Sequence, residues 1–351
     1  VKPGTYAVNL RPKTETVIIG LGAASDIVLD GGNASAVVST SGEDVLLAHL
    51  TVQKGRANEV GAGIFAENST LELVDVVVRD NRSDADGAGI GLDNAELLAD
   101  RVTLRNNVSQ RDGGGLYAYQ SPVSVVRSQI WHNEAQTGGG VYLWSATPHT
   151  LAFSSSVFQG NQASTGVAVY LRGEQGSGST AIHTSFATLE NCVVIDNQST
   201  DTAVVDGVLY SLQGEIDVES TIFAKNQAQA LVATYTQTLS FVVPVHDLLF
   251  DDTSAALTGQ LVGDPGFGVF IDNGSPDDDV FSLRPASIAA DVGHPDAFDA
   301  DGSRADIGLG GTDGPAHRYG RDDDGDGMSD GWEVDFGLNP ATNDSGDDLD
   351  G

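Results

Sequence analysis

Short runs of aliphatic and β-branched residues alternate with glycine- and asparagine-bearing corners along most of this chain, and the alternation repeats. A glycine corner followed by an aliphatic residue recurs at Gly61-Ala62-Gly63-Ile64, Gly87-Ala88-Gly89-Ile90, Gly113-Gly114-Gly115-Leu116, Gly138-Gly139-Gly140-Val141 and, degraded, at Gly166-Val167-Ala168-Val169. An asparagine closes a β-prone run at Asn81, Asn107, Asn133, Asn161, Asn197 and Asn226. The corner glycines are spaced by 26, 26, 25 and 28 residues and the asparagines by 26, 26, 28, 36 and 29. No apolar spacing of three or four recurs, so the pattern predicts stacked coils of strands rather than helix pairs, each coil touching only its neighbours.

Aligning the coils on the asparagines brings Val78, Leu104, Ile130, Phe158, Val194 and Phe223 into one column and Val76, Val102, Ser128, Ser156, Cys192 and Thr221 into another, two residues apart. Two-residue alternation points both columns inward. The asparagines fit a ladder in which each amide bonds the amide one coil on, ~4.8 Å away, so that donor and acceptor are both satisfied in a dry stack. Lone Cys192 reads as a small core residue of the second column.

The expected organisation is a solenoid over residues 1–311, with opening coils at 1–60, regular coils at 61–235 and a closing segment at 236–311 that covers the last strand edge. Strand runs fall at 16–20, 27–30 and 45–52 of the opening coils, and Gly55 takes the corner that Asn81 takes one coil later. The 36-residue interval carries its surplus in the Gly/Ser-rich stretch 173–180, expected to protrude as a loop. A linker at 312–320 leads to an acidic tail at 321–351. The opening without Met and the unfinished run Asp348-Leu349-Asp350-Gly351 read as a chain trimmed at its ends.

The glycine corners, with Phe158-Gln159-Gly160-Asn161 and Phe223-Ala224-Lys225-Asn226, resemble the short repeats of polymorphic outer-membrane proteins and of other bacterial right-handed parallel β-helix proteins of the pectate-lyase-like superfamily. That resemblance spans roughly residues 1–311 and implies an all-β right-handed solenoid with three short parallel sheets, outside the cell or at the surface of a bacterium. It implies no activity, because lyases, hydrolases, adhesins and filaments share the fold.

Fifty acidic residues against seventeen basic ones give a formal charge of -33, a field that disfavours nucleic acid and anionic membranes as partners. No run is long and apolar enough to enter a bilayer directly. Seventeen of the carboxylates lie in the last 61 residues, where the twelve-residue loop from Asp322 to Glu333 places oxygen ligands at positions one, three, five, nine and twelve. These are Asp322, Asp324, Asp326, Asp330 and Glu333; Gly327 permits the turn and Met328 offers its carbonyl, the ligand pattern of a calcium loop. No helical pattern precedes it. The run from Gly325 to Pro340 resembles bacterial thrombospondin-type-3-like calcium repeats, which implies Ca2+ as the cofactor.

One position after each corner aliphatic stand Phe65, Gly91, Tyr117, Tyr142 and Tyr170, and two further on come Glu67, Asp93, Tyr119, Trp144 and Arg172. Tyr117, Tyr119, Tyr142, Trp144 and Tyr170 therefore form an outward aromatic face that either stacks on sugar rings, docks a protein, or stacks ring on ring to hold the coils together. Beside the asparagines run two further columns, Arg79, Arg105 and Trp131, and Asp80, Asn106 and His132, which read as a solvated face rather than an acid-base site; the remaining histidines show no ligand spacing. No catalytic residue is assigned. The sequence points to a secreted or cell-surface structural and adhesive solenoid, assembling with itself or binding surface glycans or proteins. The alternatives are a polysaccharide lyase or related carbohydrate-active enzyme, and a non-catalytic glycan-binding module.

Overall fold

The computed structural model describes residues 1–145, 149–175, 182–183, 185–201, 207–228, 230–234, 241–245 and 248–250, with short stretches at 261–262, 264–265, 267–269, 280–283, 287–290, 292–293 and 306–309. The expected linker and the calcium ligands Asp322, Asp324, Asp326, Met328, Asp330 and Glu333 lie outside the described residues.

Each regular coil contributes three main strands and, in most coils, a two-residue strand just after the corner asparagine, as at Arg82–Ser83, and these pair in parallel and in register with their counterparts one coil on. The first strands form one sheet: Val38–Ser41, Ile64–Glu67, Ile90–Asp93, Leu116–Tyr119, Val141–Ser145, Val169–Gln175, Gly207–Leu212 and Ala230–Thr234. The second and third strands are joined through bends. Val45–Gln53 and Thr70–Arg79 run through the bend as single long strands, whereas later coils break there, as between Glu96–Asp100 and Thr103–Arg105. Residues with left-handed backbone make this bend in successive coils: His49, Asp75, Arg101, Arg127, Ser155, Asn191 and Ser220, with φ between 47° and 52°. The single short helix among the described residues is the 3-10 turn Ala24–Asp26.

Parallel pairing continues past residue 235, through Phe241–Val245, Leu248–Phe250 and Leu261–Val262. The described parts of the closing segment do more than cover an edge. Phe267, Phe281, Leu283, Ala289 and Ile307 pack on the outer side of the third strands, against Val157, Val193, Ile195, Ile222 and Ala224. These outward residues are aliphatic because the chain folds back over them. The expected loop at 173–180 is corrected at its start, where the first strand runs on to Gln175 and pairs antiparallel with Ile182–His183; residues 176–180 lie outside the described residues.

Inside the coils, the column of Val78, Leu104, Ile130, Phe158, Val194 and Phe223 is buried throughout. The second column holds hydroxyls where the coil bends. Ser128 Oγ donates to the Val126 carbonyl at 2.7 Å and accepts the Val102 amide at 3.0 Å, and Ser156 repeats the arrangement one coil on. Thr221 accepts the Cys192 amide at 3.2 Å, and buried Cys192 directs its Sγ to the Glu190 carbonyl.

The asparagines stand in one buried column. The Nδ2 of Asn81, Asn107, Asn133, Asn161 and Asn197 donates to the next asparagine's Oδ1 at 2.9, 3.0, 3.2, 2.9 and 2.9 Å. The same Oδ1 atoms also accept the backbone amides of those five residues, at 3.0–3.2 Å. From Asn107 onward Nδ2 makes a second bond back to the preceding coil, as from Asn133 to the Leu104 carbonyl at 2.8 Å. At the head of the column Gly55 donates its amide to Asn81 Oδ1 at 2.7 Å; a Cβ at Gly55 would stand 1.9 Å from the Ala62 carbonyl oxygen, so no side chain fits.

Replacing Asn133 by Leu strips the amide and Nδ2 of Asn107 of their shared acceptor and leaves the Leu104 carbonyl short of a donor. The variant is expected to lose on the order of 2–4 kcal/mol of unfolding free energy, read as a lower denaturation midpoint at unchanged m-value; an unchanged midpoint would show that the column does not hold the coils.

Candidate functional site

The outer face of the first sheet gathers the aromatic and charged side chains. Register aligns Glu67, Asp93, Tyr119, Trp144 and Arg172 in one column and Phe65, Gly91, Tyr117, Tyr142, Tyr170 and Tyr210 in its neighbour. Of the alternatives the sequence leaves for this face, ring-on-ring stacking describes its inner column. Tyr117 and Tyr142 are 7% and 2% exposed, and only Tyr119, Trp144 and Tyr170 of the five are half-buried. The phenol rings stack on one another, Tyr117 on Tyr142 at 5.5 Å, Tyr142 on Tyr170 at 4.9 Å and Tyr170 on Tyr210 at 4.8 Å, all within 16° of parallel. Identical rings in register one strand spacing apart fit an offset stack. Tyr210 was not legible because the surplus lengthens its coil and hides the interval.

The corner glycines crowd this stack. Gly138 has φ 64°, and a Cβ there would lie 2.6 Å from the Val141 carbonyl oxygen and 2.8 Å from the Tyr142 Cβ. A left-handed backbone and a close-packed ring both demand glycine. Just before the glycines, Asp86 and Asp112 stand in register beside the tyrosines, neither of them singled out by the sequence reading. The Asp112 amide donates to Asp86 Oδ1 at 3.1 Å, and Arg111 reaches Asp86 at 3.3 Å. Burial raises the pKa of Asp86, and burial together with the Asp86 charge pushes Asp112 up to about 6. Burial and the same carboxylates push the Tyr117 phenol upward.

In the outer column Tyr119 meets Trp144 edge to face at 4.9 Å, and the Arg172 guanidinium lies 4.3 Å above the Trp144 ring and hydrogen-bonds Tyr142. Asp93 is raised by burial and then by Glu67, whose Oε2 accepts the Ser41 hydroxyl at 2.6 Å. Toward the opening coils this face widens into a hollow of ≈ 1030 Å³ whose walls include Ser39, Arg56, Glu59, Phe65, Glu67 and Asp93.

The columns beside the asparagines are tied up otherwise. Arg79 pairs with Asp80 at 3.0 Å, and Arg105 lies 5.1 Å over Trp131, itself 5% exposed. Asp80, Asn106 and His132 are left-handed turn residues with φ 50–56°. The His132 ring meets Trp131 edge on and covers Gly160, where a Cβ would lie 2.3 Å away; burial lowers its pKa, keeping the imidazole neutral. At the bend between second and third strands Arg101 grips Asp75 at 2.7 and 2.8 Å, and both Arg101 and Arg127 reach Asp100. Among the described residues no three His, Cys, Asp or Glu side chains converge on a common metal position. Nor is any helix of the described residues long and apolar enough to cross a membrane.

The family model described as the right-handed β-helix region matches residues 62–243, more than half of the chain, and the chain belongs to that family. Neither a curated protein nor a solved structure matches it.

The raised Asp112 has a stability consequence. Its folded pKa of about 6 lies above the ordinary aspartate value, so the folded state binds more protons in that window and Asp112 favours folding as the pH falls. Asp112→Asn is expected to raise stability at pH 7.5 by about 1–2 kcal/mol, with the advantage vanishing below pH ~4. Thermal unfolding across that range tests it; an equal or lower midpoint for the variant at pH 7.5 would refute the buried-pair reading.

Proposed function

We propose that this chain is a rigid structural and adhesive scaffold of a bacterial surface or secretion, presenting the outer column of its first sheet while its remaining side-chain columns hold the coils together. The observation that carries this reading is the continuous inter-coil bonding: the asparagine column, the tyrosine stack and the Asp75, Asp100, Arg101 and Arg127 ion pairs each bridge neighbouring coils. Side chains so engaged act as staples, and rods with exposed strand edges at their ends assemble readily into filaments. The test is incubation of the purified chain with neutral and acidic polysaccharides, with and without calcium. Retention on a polysaccharide or cell surface without new reducing ends or unsaturated products is expected. Accumulating products that disappear in Asp112→Asn would instead favour the second reading, a polysaccharide-cleaving enzyme, which rests on the buried Asp86 and Asp112 pair.

The tail belongs to the same proposal. Asp322, Asp324, Asp326, the Met328 carbonyl, Asp330 and Glu333 would hold one calcium ion, with Glu333 binding through both oxygens, and so stiffen the C-terminal region. Six carboxylates within twelve residues, the five ligands and Asp323, repel one another until a cation is bound. Calorimetry on the whole chain is expected to show calcium binding that weakens at least tenfold in Glu333→Gln, while magnesium competes poorly; equal calcium affinity in both proteins would reduce the loop to a solvated acidic segment.

A further inference from the structure

The outer column of the first sheet is built unlike the rest of the surface. Tyr119 and Trp144 are half-buried rings on adjacent coils, and Asp93, one coil before them, is a half-buried carboxylate that no donor of the described residues reaches. Among the described residues the Tyr119 hydroxyl likewise meets no hydrogen-bond partner, and Trp144 buries its Nε1 without an acceptor. From Asp93 to Arg172 the column crosses three strand spacings, or about 14 Å. It thus offers the ring surface that Arg172 leaves uncovered beside a carboxylate, a hydroxyl and an indole N–H without partners, a combination that suits a ligand with both C–H faces and hydroxyls.

Charge narrows the ligand further. Glu67 and Asp93 stand in register at one end, and Asp86 and Asp112 flank the tyrosine stack. The nearby cations are engaged: Arg172 over Trp144 and on Tyr142, Arg111 on Asp86, Arg56 on Asp84 at 3.2 Å. Arg11 stands in the wall of the hollow, opposed there by Glu59, Glu67 and Asp93. A carboxylated or sulfated chain entering this face meets repulsion from carboxylates already short of solvent.

We infer that the outer column of Asp93, Tyr119 and Trp144 binds a neutral polysaccharide, its sugar faces on the two rings and its hydroxyls on Asp93, and rejects uronate-bearing chains. This rests on the adhesive reading and sharpens it to one substrate class. A strand lying along the solenoid axis touches one coil per strand spacing, so affinity grows with ligand length until the three-coil run is filled.

The full chain is tested against an array of neutral oligosaccharides (glucans, mannans, xylans and galactans), oligogalacturonates, and glucosamine oligomers. Binding to at least one neutral class is expected, weakened at least tenfold in Trp144→Ala, with parent and variant unfolding at a similar midpoint. Should Trp144→Ala fail to fold, Asp93→Lys supplies an independent readout: it is expected to admit oligogalacturonates that the parent chain rejects. Tighter binding of oligogalacturonates or glucosamine oligomers by the parent chain, no neutral binding at all, or neutral binding indifferent to both substitutions overturns the inference. Loss of neutral binding while the chain still adheres to cells would sink the inference alone, whereas cleavage of any array member would sink the adhesive reading beneath it.

Discussion

Everything in this fold hangs on an amide that is shared between coils. Where the chain turns out of its third strand, the backbone N–H of the corner residue points along the solenoid axis with no strand to receive it. The asparagine Oδ1 of the next coil accepts that N–H and the side-chain Nδ2 together, while the remaining Nδ2 hydrogen returns to a carbonyl of the coil before. Every polar atom of the column is used, which is the condition for burying it. All the oxygens face the same way, so the column has a direction, and it begins at Gly55, which lends only a backbone amide.

The ladder, rather than the spacing of residues, sets the register. Between Asn161 and Asn197 the chain is 36 residues long, yet the Nδ2 and amide of Asn161 reach Asn197 Oδ1 at 2.9 and 3.0 Å, as in 26-residue coils. The surplus is expelled where the first strand leaves the sheet at Gly173–Gln175 and turns back, because there it disturbs no inward column. Loop length costs little once the corners are fixed. The serine and threonine column at the bend does the same service for other unpaired amides, so two of the corners carry their own polar repair.

Legibility followed the same logic. The inward columns and the asparagines were readable because in-register stacking makes a buried position recur at the coil interval, and the burial requirement keeps the residue type constant. Outward positions carry no such constraint. The sequence located the tyrosines on the outer face but not their closure, since Tyr117 and Tyr142 are buried by one another and by the corner loop, a contact that alternation alone does not encode. Asp86 and Asp112 went unnoticed because they fall in the irregular approach to the glycine corner, where neither strand nor turn periodicity applies. The aliphatic outer faces of Val157, Val193 and Ile222 make sense only once the distant Phe267, Phe281, Leu283, Ala289 and Ile307 lie on them.

A parallel in-register stack places like beside like, and that has an energetic edge. Amides, hydroxyls and aromatic rings gain from their own copies one strand spacing away, whereas carboxylates lose. The chain mostly escapes the penalty by alternating charge, as Asp75 with Arg101, or by leaving like charges in water, where screening weakens their repulsion, as at exposed Glu190. Glu67 with Asp93 and Asp86 with Asp112 do neither, and the raised pKa values of Asp86, Asp93 and Asp112 record the cost. Both pairs border the same aromatic face. A fold that needs only to stack would replace them with amides of nearly the same shape, so these two pairs mark where the sequence forgoes stability that the stack alone would favour.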